Sequence, residues 1–402
     1  MIRSVLMLGP EPPYPLNGGG AYRTASLVHY FAQFAEVDLI LFSESGKPAL
    51  LPPGLVRSQQ VIQLPVHGKG TMERYIRNAK RFLRGVPPLI DRVSGFERKF
   101  RSLVADRRYD LGIVEHFWCA PYIGEMERVC AKTILDLHNL ESVLNTRCAD
   151  AGSGLVAAGQ RRFAALSRTL ESELMPRYSL VLTASESDAE QAAAIAPQAK
   201  FAVYPNALPI REPPPVAEEP ALVFSANFEY HPNIDAAEFL ISGIWPLICN
   251  EHPELRLKLV GRGDGFIRHL FPKNVRIDTT GAIEDTFPEI AKAQIVLAPL
   301  RAGSGTRIKI LEAWAAARAV VATPLAAEGL AVQEGTNIML ASSAADFAKA
   351  VSNLLKDPRG RQRLGAAGRQ TFQCRYTWDR AWHALDGDLQ VKLSEAVNRY
   401  TE

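Results

Sequence analysis

The stretch "APLRAGSGTRIKILEAWAAARAVVATPLAAEGL", residues 298–330, reads as the end of one strand, a glycine turn, a helix and a second strand. The run "IVLAP" stops at Pro299, Gly303-Ser304-Gly305-Thr306 turns the chain, an amphipathic segment continues to about Ala317, and "AVVAT" follows. That is the pattern of parallel strands joined by a crossover helix. It recurs outward in both directions, with "SVLML", "VDLILF", "LGIVE", "TILDL" and "LVLTA" before residue 205, and "ALVFS" and "LKLVG" after residue 220. Between the two series lies "PNALPIREPPPVAEEP", residues 205–220, with prolines at 205, 209, 213, 214, 215 and 220. Proline at this density stiffens a connector and excludes regular structure. The expected fold is therefore α/β, with two Rossmann-like doubly wound domains facing each other across a cleft. Ligands of such sheets bind beyond the carboxyl ends of the strands.

The charges of the opening stretch ask for an anion. A helix N-terminus carries a positive dipole end and favours acidic neighbours by ~0.3–1 kcal/mol each, yet this helix begins with Arg307 and Lys309. Glycines that let backbone N–H groups approach, with two cations beside them, make a diphosphate the natural ligand of Gly303, Ser304, Gly305 and Thr306. The alternative is that both cations point into solvent. Glu312, inside the apolar run "ILEAWAA", needs partners. Lys309, one turn before it, is one such partner, and the two hydroxyls of a ribose are another. Glu328 in "AAEGL" is a second candidate of the same type.

The other glycine cluster, Gly18-Gly19-Gly20 in "PLNGGGAYRTA", fails as a dinucleotide fingerprint because the third glycine of G-x-G-x-x-G would fall on Arg23. A helix starting near Ala21 would still aim its N–H groups at these glycines, which suits a phosphate or a polarised oxygen; a plain turn is the alternative. His116 in "LGIVEHFW" and His138 in "TILDLHNLES" both end strands, so a parallel sheet brings them to one edge, facing the triple glycine. Asp136, His138 and Glu141 have no further imidazole or cysteine set to complete a typical metal site, and no metal is expected.

Composition narrows the classes. The chain has 402 residues, 47% of them hydrophobic, and a net charge of +3, which does not announce a nucleic-acid binder. Five cysteines without a CxxC pair argue against a disulfide framework or zinc knuckle. No run approaches the ~18 apolar residues of a membrane span, and a cytoplasmic protein is expected. Local charge is concentrated between Lys69 and Arg108, where twelve Lys/Arg meet four acids. Within it, "TMERYIRNAKRFLRG" spaces Met72, Tyr75, Ile76, Ala79, Phe82 and Leu83 along one helical face and basic residues along the other. Such a helix either lies on an anionic bilayer or packs on a core with a solvated basic face.

Together these segments resemble the retaining glycosyltransferases of family 4, which have two Rossmann-like domains of GT-B type and transfer sugar from a nucleotide diphosphate. The likeness runs through "PLNGGGAYRTASLVHYF", "ILDLHNLESVLNTR", "LVLTASESDAEQ", "FSANFEYHPNIDAAEFL", "LVGRGDG" and above all "GSGTRIKILEA". It implies that Glu312 is the second glutamate of the E-x7-E motif and binds the donor ribose; Ser304 stands where the first would be. The family's Arg and Lys pair early in the second domain is absent from "SANFEYHPN", where Asn227 and Pro232 or Asn233 occupy the places, and Arg307 and Lys309 would replace its charge. The resemblance implies front-face substitution with retention, assisted by the departing diphosphate and without a cofactor. His138 and His116 would contact the donor sugar or the acceptor. It also implies that the chain after Trp378 returns to the first domain, giving residues 1–204 plus about 380–402 as the acceptor-side domain, 205–220 as linker and 221–379 as the donor domain. The implied partners are a nucleotide sugar, a glycan or lipid-linked acceptor and, through residues 69–108, an anionic membrane surface. A sugar-nucleotide epimerase or hydrolase on the same scaffold, an NAD-dependent oxidoreductase and a non-catalytic sugar-nucleotide-binding protein are the competing readings.

Overall fold

A computed structural model describes residues 2–16, 18–66, 77, 81, 83–272, 276–303 and 308–394. The chain divides into two compact units. One comprises Met1–Leu16, Gly20–Pro205 and Trp382–Glu402, the other Asn17–Gly19 and Asn206–Ala381.

The first unit is built on seven strands: β1 (Ser4–Gly9), β2 (Glu36–Ser43), β3 (Ser58–Gln63), β4 (Tyr109–Glu115), β5 (Cys130–Asp136), β6 (Leu180–Thr183) and β7 (Phe201–Val203). They lie in the order β3-β2-β1-β4-β5-β6-β7, every neighbouring pair parallel. The apolar runs are continuous rather than alternating because both faces of the sheet are covered; Val5, Leu6, Met7 and Leu8 are all fully buried. The order reverses direction between β1 and β4, so the switch point opens at the carboxyl ends of these two strands. Strand β3, "SQQVIQ", is a polar edge strand with only Val61 and Ile62 apolar.

The second unit repeats the plan with β8 (Ala221–Ser225), β9 (Arg256–Val260), β10 (Ile277–Thr279), β11 (Ile295–Ala298), β12 (Ala319–Ala322) and β13 (Met339–Leu340), in the order β10-β9-β8-β11-β12-β13 and again all parallel. Its switch point lies between β8 and β11. The loop after β9 begins at Gly261, whose φ of 130° and whose closeness to the neighbouring chain, with Ala226 O 2.1 Å from any added Cβ, admit only glycine. Residues 205–220 carry no helix or strand; a single bridge pairs Leu208 with Thr377, and Arg211 forks onto Asp285 at 3.0 and 2.6 Å.

Helix boundaries differ in detail from the sequence reading. The first helix spans Gly19–Ala32, so Gly19 and Gly20 form its first turn instead of a loop before it. The helix Ile308–Ala315 ends sooner than Ala317, because Ala317 takes φ 54° and Arg318 N–H closes on Ala313 O, a left-handed cap filled by alanine. Of the basic amphipathic segment, residues 71–76, 78–80 and 82 lie outside the described residues. Within the described part, Leu83 is exposed, and Arg81 (2.7 Å) and Arg84 (3.6 Å) share Asp91, so part of the local positive charge is already paired. The five cysteines form no disulfide among the described residues. Among the described residues no helix is long and apolar enough to cross a membrane.

Candidate functional site

In the first unit, β4 and β5 end in register with Glu115 opposite Asp136, two carboxylates side by side and both fully buried. Like charges so placed are costly unless cations and donors meet them. They are met from the helix Gly19–Ala32. Arg23, 1% exposed, sends its Nε and Nη2 to the two oxygens of Asp136 at 2.7 and 2.5 Å and its Nη1 to the carbonyl of Tyr204 at 2.6 Å. Thr24 donates its hydroxyl to Glu115 Oε2 at 3.0 Å. The residue that spoils a dinucleotide fingerprint is thus the counter-charge of a strand-end carboxylate. Tyr204 and the C-terminal segment hold that helix in turn: the Tyr204 hydroxyl and Trp382 Nε1 both donate to Ser26 Oγ, at 2.7 and 3.1 Å.

His116 and His138 follow these two strands and stack, ring centroids 3.4 Å apart. Trp118 covers the other face of His116 at 4.4 Å and donates its Nε1 to Glu141 at 2.8 Å. Glu141 therefore belongs to the Trp118 and Asn139 side chains and not to a group with Asp136. His116 takes φ 61°, a conformation costing ~1–3 kcal/mol in non-glycine residues, and its N–H is tied to Asp136 O at 3.0 Å. His138 turns Nε2 to Glu115 Oε2 at 2.9 Å and Asp136 Oδ2 at 3.3 Å. Gly20 lies directly over the stack: a Cβ there would stand 3.1 Å from His116 Nε2 and 3.6 Å from His138 Nδ1. Gly18 is exposed at the preceding bend.

The electrostatics divide the cluster. Burial pushes the Asp136 carboxyl up, but Arg23 and His138 outweigh it and hold it well below the usual range. Glu115 is pushed up by burial and by the Asp136 charge. Burial alone would lower His138; hydrogen bonds donated to Asp136 and Glu115 reverse this and raise it. His116 is driven well below its ordinary value by burial and by the neighbouring His138. Glu115, Asp136 and His138 bring three donor atoms within 4.8 Å of one another, and the cation they face is the Arg23 guanidinium, which engages both Asp136 oxygens.

In the second unit the helix Ile308–Ala315 follows β11 at the switch point. Lys309 donates Nζ to Asn233 Oδ1 at 3.0 Å and lies 4.9 Å from the Phe224 ring centroid; Asn233 Nδ2 in turn holds the Asn227 carbonyl at 2.9 Å. Asn227, in the loop after β8, and Asn233, in the first turn of the helix His231–Glu238, thus sit with the cation that follows β11. Glu312, one turn further, is buried and accepts from Thr286 Oγ1 at 3.0 Å. Burial pushes its carboxyl up to about 7, against the lowering effect of Thr286 and Lys309. Gly303 is buried with φ 119°, and Glu328 is half-buried in the turn after β12. Ser304, Gly305, Thr306 and Arg307 lie outside the described residues.

Two participants escape a reading of the sequence alone. Arg23 is signalled by a charged residue amid "AYRTASLVHYF", on a face whose neighbours are apolar or small. Glu115 is signalled by a carboxylate closing the buried strand "YDLGIVE".

Residues 219–357 match the family described as glycosyl transferases group 1. An uncharacterized 44.6 kDa protein in the cps region of Klebsiella pneumoniae is 24% identical over 151 residues, 36% of this chain and 39% of that protein. The matched part thus spans less than half of that relative. Among solved structures, sucrose-phosphate synthase from Thermosynechococcus elongatus is similar with a TM-score of 0.75 at 16% identity, over 98% of this chain and 100% of that one. HepE from Anabaena, in complex with UDP-glucose, is similar with a TM-score of 0.64 at 14% identity, over 96% and 99%. The chain has the two-unit GT-B fold, and residues 219–357 of its second unit match a group 1 glycosyl transferase domain.

Proposed function

We propose that the protein is a retaining, metal-independent glycosyltransferase that moves a sugar from a nucleotide diphosphate to a glycan or lipid-linked acceptor, in the synthesis of cell-surface polysaccharide or glycolipid. The observation that carries this reading is the pairing of Lys309 and Glu312 one turn apart on the helix after β11, inside the segment that matches the glycosyl transferase family. An ammonium fixed by Asn233 at a switch point suits the negative charge of a diphosphate. A buried carboxylate one turn below can accept both hydroxyls of a ribose.

The roles follow from charge. Lys309, with Arg307 two residues before it in the sequence, stabilises the diphosphate as it leaves, and the departing oxygen takes the acceptor proton on the same face, which gives retention. Glu312 orients the nucleoside. His138 and His116 contact the transferred sugar or the acceptor, with Gly20 leaving room beside the rings. Because Arg23 already neutralises Asp136, that carboxylate needs no divalent ion for charge balance. The basic residues between 69 and 108 suit a peripheral role at an anionic cytoplasmic leaflet.

A thermal-shift panel of UDP, GDP, ADP and their common sugars tests the donor assignment. The wild type should be stabilised by one nucleotide series, in the presence of EDTA, and Arg307→Ala and Lys309→Ala should lose most of that shift. An unchanged shift in both variants would refute the diphosphate site. Incubating the preferred donor without acceptor and finding epimerised sugar would replace transfer by epimerisation, and donor binding with no turnover over a broad acceptor panel would leave a binding protein.

A further inference from the structure

The buried cluster at the ends of β4 and β5 contains more acid than its ion pair uses. Arg23 and Asp136 cancel each other through a two-pronged contact. What remains is Glu115, fully buried, and His138, whose side chain is 7% exposed and whose Nε2 faces Glu115 Oε2 at 2.9 Å. Glu115 Oε1 is buried with no hydrogen-bond partner among the described residues. A bare carboxylate beside a neutral imidazole would leave one uncompensated negative charge removed from water, which is strongly unfavourable. One proton shared by the pair makes the whole cluster neutral.

That proton has two possible seats, and both have the same consequence at the other end of the ring. If it rests on His138, the imidazolium carries hydrogen on both nitrogens. If it rests on Glu115, the carboxyl O–H donates to Nε2, and the one hydrogen of the neutral ring must be on Nδ1. We propose that Glu115 is a positioning residue that shares one proton with His138, so that Nδ1 of His138 carries a hydrogen and donates it to an oxygen of the transferred sugar. The identity of that oxygen's owner rests on the glycosyltransferase reading; the protonation of Nδ1 does not. Nδ1 is the nitrogen turned toward Gly20, where the absence of a side chain leaves the approach open.

The groups facing His138 from all sides agree with this assignment. Asp136 on β5 and Glu115 on β4 favour a proton on the ring, while Arg23 from the helix Gly19–Ala32 opposes it but is tied to Asp136. His116, stacked at 3.4 Å, would oppose it only if charged, and burial keeps that ring neutral. Tyr204 presents its hydroxyl to Ser26 and its carbonyl to Arg23. Both Glu115 and His138 hold protons above their ordinary ranges. The raised affinity means that the donor state persists at neutral pH and is lost only as pH rises.

Nitrogen-15 NMR of the full-length chain labelled at histidine, with the His138 signal identified by its loss in His138→Gln, reads the ring directly. At pH 7 the wild type should show a hydrogen on Nδ1, with a titration midpoint above the ordinary imidazole value of ~6.5. Glu115→Gln should lower that midpoint by at least one unit, about tenfold in proton affinity, and Glu115→Asp should restore part of the shift. In donor turnover, the alkaline limb of kcat should move to lower pH in Glu115→Gln with KM little changed. A bare Nδ1 in the wild type at pH 7 overturns the proposal whether or not Glu115→Gln folds, and so does a Glu115→Gln midpoint equal to that of the wild type. The NMR outcome is independent of whether a sugar is transferred, so failure of the donor assignment leaves it intact.

Discussion

Replacing Arg23 by methionine should destabilise the first unit by about 3–5 kcal/mol, the range for breaking a buried ion pair by removing one partner. At least three hydrogen bonds are lost, two to Asp136 and one to the Tyr204 carbonyl, at a site where both charged side chains are essentially inaccessible. Methionine replaces much of the packing volume, so the loss is mainly electrostatic. In the wild type the folded-state carboxyl of Asp136 is depressed, so its contribution is fully present above the unfolded value near ~4 and is lost only as pH falls through the lower folded value. Without Arg23 the buried carboxyl titrates above that unfolded value instead, and the variant loses stability as pH rises past ~4. The gap between the two proteins should therefore be wide at pH 8 and narrow at pH 5. Thermal melts should show the first-unit transition lowered by about 6–20 °C at pH 8, at ~2–4 °C per kcal/mol. Hydrogen exchange at β4 and β5 should be followed in parallel, since two units need not unfold together. Arg23→Met/Asp136→Asn should recover a large part of the loss. A drop under ~1 kcal/mol, an equal gap at both pH values, or a double variant as weak as the single one would refute the uncompensated-charge explanation.

Glu312→Gln should separate stability from binding. The wild-type carboxyl titrates at about 7 in the folded state, above its unfolded value, so it binds its proton more tightly when folded and stability declines as pH rises from ~4 through 7. Glutamine removes that decline, so denaturant unfolding should find the variant more stable than wild type at pH 8 and nearly equal at pH 5. Its donor affinity, measured by calorimetry, should fall at least about tenfold at pH 8, the loss of a charged hydrogen bond of ~1.5–3 kcal/mol; retained affinity would remove Glu312 from the nucleoside site. Lys309→Ala should raise the donor KM by roughly 10–100-fold through the same kind of loss, with Lys309→Arg only partly restoring it because Asn233 fixes a single ammonium; steady-state kinetics decide. Gly20→Ala should keep most of the fold, because Gly20 takes no left-handed φ, but its Cβ at 3.1 Å from His116 Nε2 must push the ring stack. Turnover should fall while the melting temperature changes little, and unchanged turnover would detach the triple glycine from the site.

What the sequence discloses and what it withholds have different physical origins. Central strands such as "SVLML" and "ALVFS" are legible because both faces of a parallel sheet are buried, which forces uninterrupted apolar runs. Edge strands are not: "SQQVIQ" satisfies its ladder with residues that elsewhere form loops, and β13 is two residues long. The juxtaposition of His116 and His138 is legible because strand ends in one sheet must converge, and their stacking at 3.4 Å is the direct consequence. Arg23 is illegible in its role because a local pattern compares it with glycine at the same position, whereas its function comes from Asp136, far along the chain. Glu115 is missed for the same reason, since its partners Thr24 and His138 come from a helix and a neighbouring strand. Residues that act on a substrate tend to stand at strand ends and glycine turns, where chain geometry marks them. Residues that set the charge of those groups stand inside apolar runs, where the only local sign is the apparent cost of burying them. A charged side chain in an apolar run at a sheet's carboxyl edge therefore deserves to be paired, in sequence reading, with the titratable residue at the end of an adjacent strand before it is dismissed as a broken motif.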